Sequence, residues 1–375
     1  MRVLIAPQEF KGSLSADEAA AAIASGIRDA RPEWELDVLP LADGGPGFLD
    51  ALRKAVRADT GGLVVHDALG RPLVGRYLTI RKTNTAVVEA AQANGLSHLR
   101  PEERDPLNAD SRGVGELIEA AMASRPPKLI IGVGGSATSD GGAGMATALG
   151  ARLTDSAGNP LRPGAAALAD LARIDWRRPA AFNGVEVIVA ADVTNPLVGP
   201  NGAAAIYGPQ KGATPEQVDI IEAALVRYAA VVKRSLGVDI ADLPGAGAAG
   251  GLAGGLVAFL GARIVSGFEV VADATDLRSR LAAADIVVTG EGSFDSQSLQ
   301  GKGPGRLLEL ARGAGKQIAI FAGRSGDPGV VTLTQIEPDL ARAMAEAPAL
   351  LREAARRWAM GHAPSSRGSR PPNPS

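Results

Sequence analysis

The chain contains no cysteine, which removes disulfides, thiolate nucleophiles and cysteine-ligated metals together. Histidine is almost as scarce, with three in 375 residues: His66, His98 and His362. None stands in the glycine-rich loops that follow the strand patterns, so a His-based triad, a zinc site or a histidine base has little support. Aromatic residues make up only 3%, leaving the interior to Ala, Val, Leu and Ile. No apolar run approaches the ~20 residues needed to cross a bilayer. Neither sign of charge is in excess, with 39 basic against 41 acidic side chains and a net charge of −2. That balance argues against nucleic acid, which asks for a basic face, and against polybasic attachment to a membrane. The opening "MRVLIAPQEF" reads as a strand followed by polar residues rather than as a signal peptide, and a cytoplasmic protein is expected.

What the chain has in quantity is glycine, 47 residues, set in a repeated grammar. Short apolar runs at 3–7, 35–41, 128–134, 185–192, 285–290 and 317–323 read as strands covered on both faces. Amphipathic runs at about 15–30, 46–58, 112–124, 142–150, 215–235, 247–260, 303–314 and 339–358 read as helices. Such alternation predicts an α/β protein with mostly parallel strands. The stretch "LVVHDALGRPLVGRYLTIR" (63–81) differs. Its two half-polar runs, joined at Gly70-Arg71-Pro72, predict antiparallel strands and hence a mixed sheet in a second domain. From His362 onward the chain is rich in Pro, Ser and Arg, and a disordered tail is expected over 362–375.

Five of the strand patterns end in glycines, hydroxyls and a charged side chain: "QEFKGSLSADE", "ADGGPG", "GSATSDGGAG", "VTNPLVGPNGA" and "EGSFDSQSLQGKGPG". Ligands of open α/β sheets bind at such carboxyl ends, so a shared cleft is expected. "GVGGSATSDGG" is neither a Walker A loop nor a dinucleotide fingerprint. It offers backbone N–H groups at Gly134, Gly135 and Ser136 and hydroxyls at Ser136, Thr138 and Ser139, a setting for phosphate or carboxylate. Asp140 reads as a turn former or helix N-cap. Only eight of the basic residues are lysines, and three of those are followed directly by glycine in loops: Lys11, Lys211 and Lys302. Lys11, next to Gly12-Ser13, and Lys302 read as anion ligands, whereas Lys211 reads as a solvated loop residue. The acids Asp43, Asp192, Glu291 and Asp295 stand at strand ends. Carboxylates among phosphate-type loops suit Mg²⁺, and one could take the proton from an attacking hydroxyl.

In order along the chain, "APQEFKGSLSA", "PLADGGPG", "GVGGSATSDGGAGMATALG", "AADVTNPLVGPNGA", "PGAGAAGGLAGGL" and "VTGEGSFDSQSLQGK" resemble the type-1 glycerate kinases, the glycerate 2-kinase family. The resemblance spans about residues 1–323. It implies ATP- and Mg²⁺-dependent phosphorylation of D-glycerate, giving 2-phosphoglycerate and ADP. It also implies two α/β domains, one flavodoxin-like with a parallel sheet (1–60 and 270–361), interrupted by a second with a mixed sheet (61–269). The chain departs from the pattern at Gln8-Glu9, Pro46, Ser139 and Ser293, the last standing where an arginine is usual.

The expected mechanism puts the ATP phosphates on Gly134, Gly135 and Ser136 and on one lysine, Lys302 or Lys11, with the other lysine on the glycerate carboxylate. Asp192 and Asp295 are expected to hold Mg²⁺ directly or through water, and Asp43 or Asp192 to accept the hydroxyl proton. Ser13, Thr138, Asn195, Glu291 and Gln297 complete the expected ATP and substrate ligands. Two alternatives stand beside this: a kinase of another small hydroxy acid, and a non-catalytic nucleotide-binding relative. Oligomeric state is not specified by the sequence.

Overall fold

The computed structural model describes residues 1–41, 44–295 and 303–362. Two compact units emerge, one formed by Met1–Leu41 with the chain from Asp276 onward, the other by Ala42–Thr275. The architecture is α/β, with one parallel and one mixed sheet, as the sequence predicts.

In the first unit five parallel strands stand in the order Glu35–Val38, Arg2–Ile5, Ile286–Phe294, Gln317–Ser325, Val331–Thr332. Numbered along the unit, that order is 2-1-3-4-5, the flavodoxin-like winding, whose direction reverses between the first and third strands. The first helix, Ala16–Ala30, begins where the sequence marks it. Ser15 Oγ accepts from the Glu18 N–H and Glu18 Oε2 from the Ser15 N–H, a reciprocal cap. Its buried face packs with Val3, Ile5, Phe321, Leu351 and Ala355 in one core. The helix expected over 339–358 is two, Leu340–Ala345 and Ala347–Gly361, because Pro348 falls in the first turn of the second and cannot continue a helix from before it.

In the second unit the strands run Arg263–Val265, Glu186–Ala190, Lys128–Gly132 and Thr85–Glu89 in parallel, followed by the antiparallel Pro72–Ile80 and Ala58–His66. The last two form the expected hairpin, closing at His66 opposite Pro72 with Gly70 at φ 78°. Strand Thr85–Glu89 and helices Gly267–Ala274 and Leu277–Ala283 were not among the expected elements. This unit takes in residues 44–60 as well. Phe48, Leu49 and Leu52 of helix Phe48–Ala55 bury themselves with Leu78, Ile80, Val87, Ile130 and Val271 on one face of the mixed sheet. Residues 270–275 join it for the same reason, since Val270 and Val271 lie in that core. Of the segment expected to be a disordered tail, only His362 is described. Among the described residues no helix is long and apolar enough to cross a membrane.

In the first unit, helices Ala16–Ala30 and Ala347–Gly361 touch backbone to backbone at Gly26. A Cβ there would lie 2.0 Å from the Arg352 carbonyl oxygen and 2.9 Å from the Arg356 nitrogen. Because the obstructing atoms are main chain, they cannot rotate aside. Gly26→Ala is expected to cost about 3 kcal/mol by overpacking, read as a lower urea midpoint at unchanged slope. A midpoint equal to the wild type would show that the two helices can part freely.

Candidate functional site

In the second unit the loop Gly134–Asp140 leaves the carboxyl end of strand Lys128–Gly132. The Gly134 N–H, expected to be open, donates to the Gly44 carbonyl at 3.0 Å. The loop from Gly44 lies directly on these strand ends. A Cβ on Gly44 would meet the Ala190 oxygen at 2.5 Å, one on Gly134 the Gly45 Cα at 2.5 Å, and one on Gly135 the Pro46 ring at 2.6 Å. Backbone thus stacks on backbone, and only glycine permits it. The N–H groups of Gly135 and Ser136 have no partner among the described residues. Gly135 is exposed and takes φ 73°, and its carbonyl accepts from Leu96 at 2.8 Å. Of the anion-binding groups read from this loop, these two amides and the Ser136 hydroxyl lack an acceptor among the described residues; the Ser139 hydroxyl lacks one too but is fully buried.

Thr138 and Ser139 are fully buried. Thr138 Oγ accepts from Asn94 Nδ2 at 3.0 Å, so this hydroxyl shapes the loop from inside. Asp140, also fully buried, is a hub. Its Oδ2 accepts from the Ser111 N–H (3.0 Å), the Ser111 hydroxyl (2.8 Å) and the Gly144 N–H (3.0 Å), and its Oδ1 from Gly142 (3.2 Å). The turn role expected of it holds.

Lys211 corrects its expectation. Far from solvated, it is 2% exposed, and its Nζ donates to Ser136 Oγ at 3.2 Å and to the Thr138 carbonyl at 2.5 Å. Burial pulls its amine down to about 7, against the opposing pull of the Asp140 charge. The signal was in the sequence: this lysine shares its glycine flank with Lys11 and Lys302, in a chain that uses lysine sparingly. Glu89 was also missed. It ends strand Thr85–Glu89, buried, and its carboxylate accepts from the Leu49 (3.0 Å) and Gly47 (3.4 Å) amides at the start of helix Phe48–Ala55. Burial raises its pKa above the ordinary glutamate value.

Asp192 lies half-buried beyond strand Glu186–Ala190. Its Oδ1 accepts from Ser266 Oγ at 2.5 Å and its Oδ2 from the Phe268 N–H at 3.3 Å, which ties it to the start of helix Gly267–Ala274. Asn195 is used by its own loop, with Nδ2 donating to the Asn201 carbonyl (2.9 Å) and Oδ1 accepting from the Tyr207 hydroxyl (2.7 Å).

In the first unit, Lys11 and Glu291 lie at the carboxyl ends of the two strands that flank the sheet's switch point, with Ser13 and Asp295 further along the same two segments. Gln8 N–H donates to the Gly290 carbonyl at 2.8 Å, and a Cβ on Gly292 would lie 3.0 Å from the Lys11 nitrogen. The Lys11 loop and the end of strand Ile286–Phe294 therefore run side by side. Lys11 and Asp295 are exposed, and Glu291 is half-buried. The Ser13 hydroxyl donates back to the Phe10 carbonyl at 3.0 Å and so holds the loop's own turn. Gly303, first residue of helix Gly303–Gly313, faces the Gln8 amide, with a Cβ position 3.5 Å from it. From the neighbouring strand Arg324 reaches Ser293, Nε to Oγ 3.3 Å, bringing a guanidinium to the position where the sequence pattern lacks one. Asp43, Gln297 and Lys302, and residues 363–375, lie outside the described residues.

Among the described residues no group of three or more His, Asp or Glu could hold a metal ion. Mg²⁺ needs only one or two carboxylates when phosphate and water supply the rest, and Asp192 and Asp295 have the hard oxygen donors it takes.

Asp110, close to Asp140, has its pKa raised to about 6, by burial first and by the Asp140 charge second. Between pH ~4 and 6 the unfolded chain has released this proton while the folded one retains it, so this group's contribution to stability falls as pH rises through that window and stays low above it. Asp110→Asn keeps the acceptor that receives the Arg112 N–H at 2.8 Å. Relative to wild type it is expected to gain stability steadily from pH 4 to 6 and hold that gain at pH 8, as read by thermal melts. A difference independent of pH would mean that the Asp110 carboxyl is solvated.

A model described as the glycerate kinase family matches residues 3–361. The glycerate 2-kinase of Escherichia coli K12 is 43% identical over 339 residues, 88% of this chain and 87% of that protein. A glycerate kinase of Bacillus subtilis 168 is 42% identical over 324 residues, 86% of this chain and 85% of its own. A crystal structure from Salmonella typhimurium LT2, provisionally described as glycerate kinase 2, superposes with a TM-score of 0.81 at 42% identity, covering 96% of this chain and 97% of that one. With its flavodoxin-like sheet, its inserted mixed-sheet unit and matches that run almost end to end, the chain belongs to the glycerate kinase family.

Proposed function

We propose that the protein transfers the γ-phosphoryl group of ATP to the 2-hydroxyl of D-glycerate, giving 2-phosphoglycerate and ADP. The observation that carries this reading is the turn after strand Lys128–Gly132, where two backbone amides without a partner among the described residues and one hydroxyl stand together at a strand's carboxyl end. Phosphate is the ligand such a turn suits, and family membership makes a nucleotide phosphate its natural occupant. The E. coli relative, named glycerate 2-kinase, supports the choice of hydroxyl. ATP as donor carries a cytoplasmic location with it.

Phosphoryl transfer asks a protein mainly for positioning and charge neutralisation. Gly135 and Ser136 donate to phosphate oxygens. Of Lys11 and Lys302, one neutralises the phosphates and the other takes the glycerate carboxylate, with Glu291 and Gln297 as further polar ligands. Mg²⁺ would supply charge neutralisation on the phosphate oxygens, with Asp192 or Asp295 as a candidate carboxylate, directly or through water. Asp192 or Asp43 accepts the proton from the attacking hydroxyl. The hydrogen bonds from Ser266 and Phe268 orient the Asp192 carboxylate, which a base or a metal ligand needs in equal measure.

The test couples product formation separately to detection of 2- and 3-phosphoglycerate, with ATP, Mg²⁺ and a panel of small hydroxy acids. D-glycerate is expected to give the highest kcat/KM, and 2-phosphoglycerate to be the product. Asp192→Asn is expected to lower kcat by ~10²–10⁴. ATP binding without turnover of any acid, or a D192N rate within a few-fold of wild type, would overturn the function and the role of Asp192 respectively.

A further inference from the structure

We propose that Lys211 is a positioning residue for the nucleotide phosphates, its buried ammonium holding the Ser136 hydroxyl in the one orientation that donates to them. The proposal rests on the phosphate reading of the Gly134–Ser136 turn and adds to it a residue that touches no substrate.

Lys211 ends the short turn Pro209–Lys211, just ahead of helix Pro215–Leu236. Its carrier turn is itself fixed, with Arg104 Nη1 donating to the Gln210 carbonyl at 3.3 Å. The amine enters the interior past Gly250, where a Cβ would lie 2.8 Å from Nζ and 2.0 Å from the Thr138 oxygen. At φ 67°, Gly250 also has a backbone that other residues rarely adopt. Space for this amine therefore depends on a second segment far along the chain.

The hydrogen-bond logic is directional. With its amine pulled down to about 7 the group is charged below that pH, and an anion bound at the turn favours the charged form further; that ammonium has three donors and no lone pair. Ser136 Oγ, 3.2 Å from Nζ, must therefore present a lone pair to it, and its own hydrogen points elsewhere. No acceptor for that hydrogen exists among the described residues. The neighbouring amides of Gly135 and Ser136 lack acceptors as well, so three donors are left for one anion. Among the described residues Lys211 has no ion-pair partner within 4.0 Å, and a buried charge without one is costly to keep. Methionine would fill the same space without that cost. The donor is what methionine cannot replace.

The experiment is a double-mutant cycle with Lys211→Met and Ser136→Ala on the full chain, at saturating D-glycerate with ATP varied. Thermal melts establish that each variant is folded. Each single change is expected to raise KM for ATP about tenfold, with kcat changed less than about threefold. In the S136A background, K211M is expected to raise KM by less than about twofold, because the hydroxyl it orients is gone. Should K211M fail to fold, Lys211→Gln enters the same cycle, since it keeps the length of a polar side chain but not the obligate donor. An equal increase from the lysine substitution in both backgrounds, or a loss confined to kcat, overturns the positioning role. No change in KM from S136A alone overturns instead the phosphate reading of the turn.

Discussion

The second unit depends on one buried carboxylate. Asp140 would be expensive to bury alone, yet it accepts four hydrogen bonds, two from the distant Ser111 and two from Gly142 and Gly144 just after it in the chain. Through Ser111, whose hydroxyl also accepts from the Met145 N–H at 3.0 Å, it joins the start of helix Arg112–Ala121 to that of Ala143–Ala148. A carboxylate satisfied by backbone amides at two helix beginnings has both dipoles in its favour. The residues before it, 134–139, therefore leave a fixed point, and the shape of the strand-end turn follows.

Lys211 completes that arrangement from the other side. Its charge and that of Asp140 do not touch, but each lies in the other's field, and the peptide from Ser136 to Asp140 runs between their hydrogen bonds. Two buried charges of opposite sign thus grip a single loop. One grips it through amides, the other through a hydroxyl and a carbonyl. Such a loop has few ways to rearrange, which is what oriented donors require if they are to act without reorganising.

Much of the fold was legible because buried parallel strands declare themselves as short apolar runs and helices as amphipathic ones. The helix starting near residue 15 and the hairpin at Gly70 were both legible in the sequence, and both formed. What escaped was tertiary choice. Helix Phe48–Ala55 presents Phe48, Leu49 and Leu52 on one face, a pattern that fits any sheet, and nothing local says that it covers the mixed one. Strand Thr85–Glu89 is buried along its whole length yet short, so its run merged with the alanines that follow. At the turn, three glycine and serine amides look equivalent in sequence. The arrival of the Gly44 carbonyl distinguishes Gly134 from the two that have no partner among the described residues. The three glycine-flanked lysines likewise look alike, and burial of one of them is a fact about Gly250 and Thr138 rather than about its neighbours.

The glycine content finds its reason in the same contacts. At Gly44, Gly134 and Gly250 the missing Cβ admits, respectively, a carbonyl oxygen, a Cα, and a carbonyl together with an ammonium. At Gly44 the close approach removes a layer of side chain between a strand end and the loop above it, and at Gly134 and Gly250 it lets one loop lie directly on another. Of the hydroxyls at 136, 138 and 139, Thr138 and Ser139 are sealed inside and only Ser136 has its oxygen gripped by a lysine. A sequence that advertises many donors is thus reduced by packing to a few with fixed direction. Phosphoryl transfer, in which placement and charge do most of what the protein contributes, rewards that reduction more than it would reward a larger number of mobile donors.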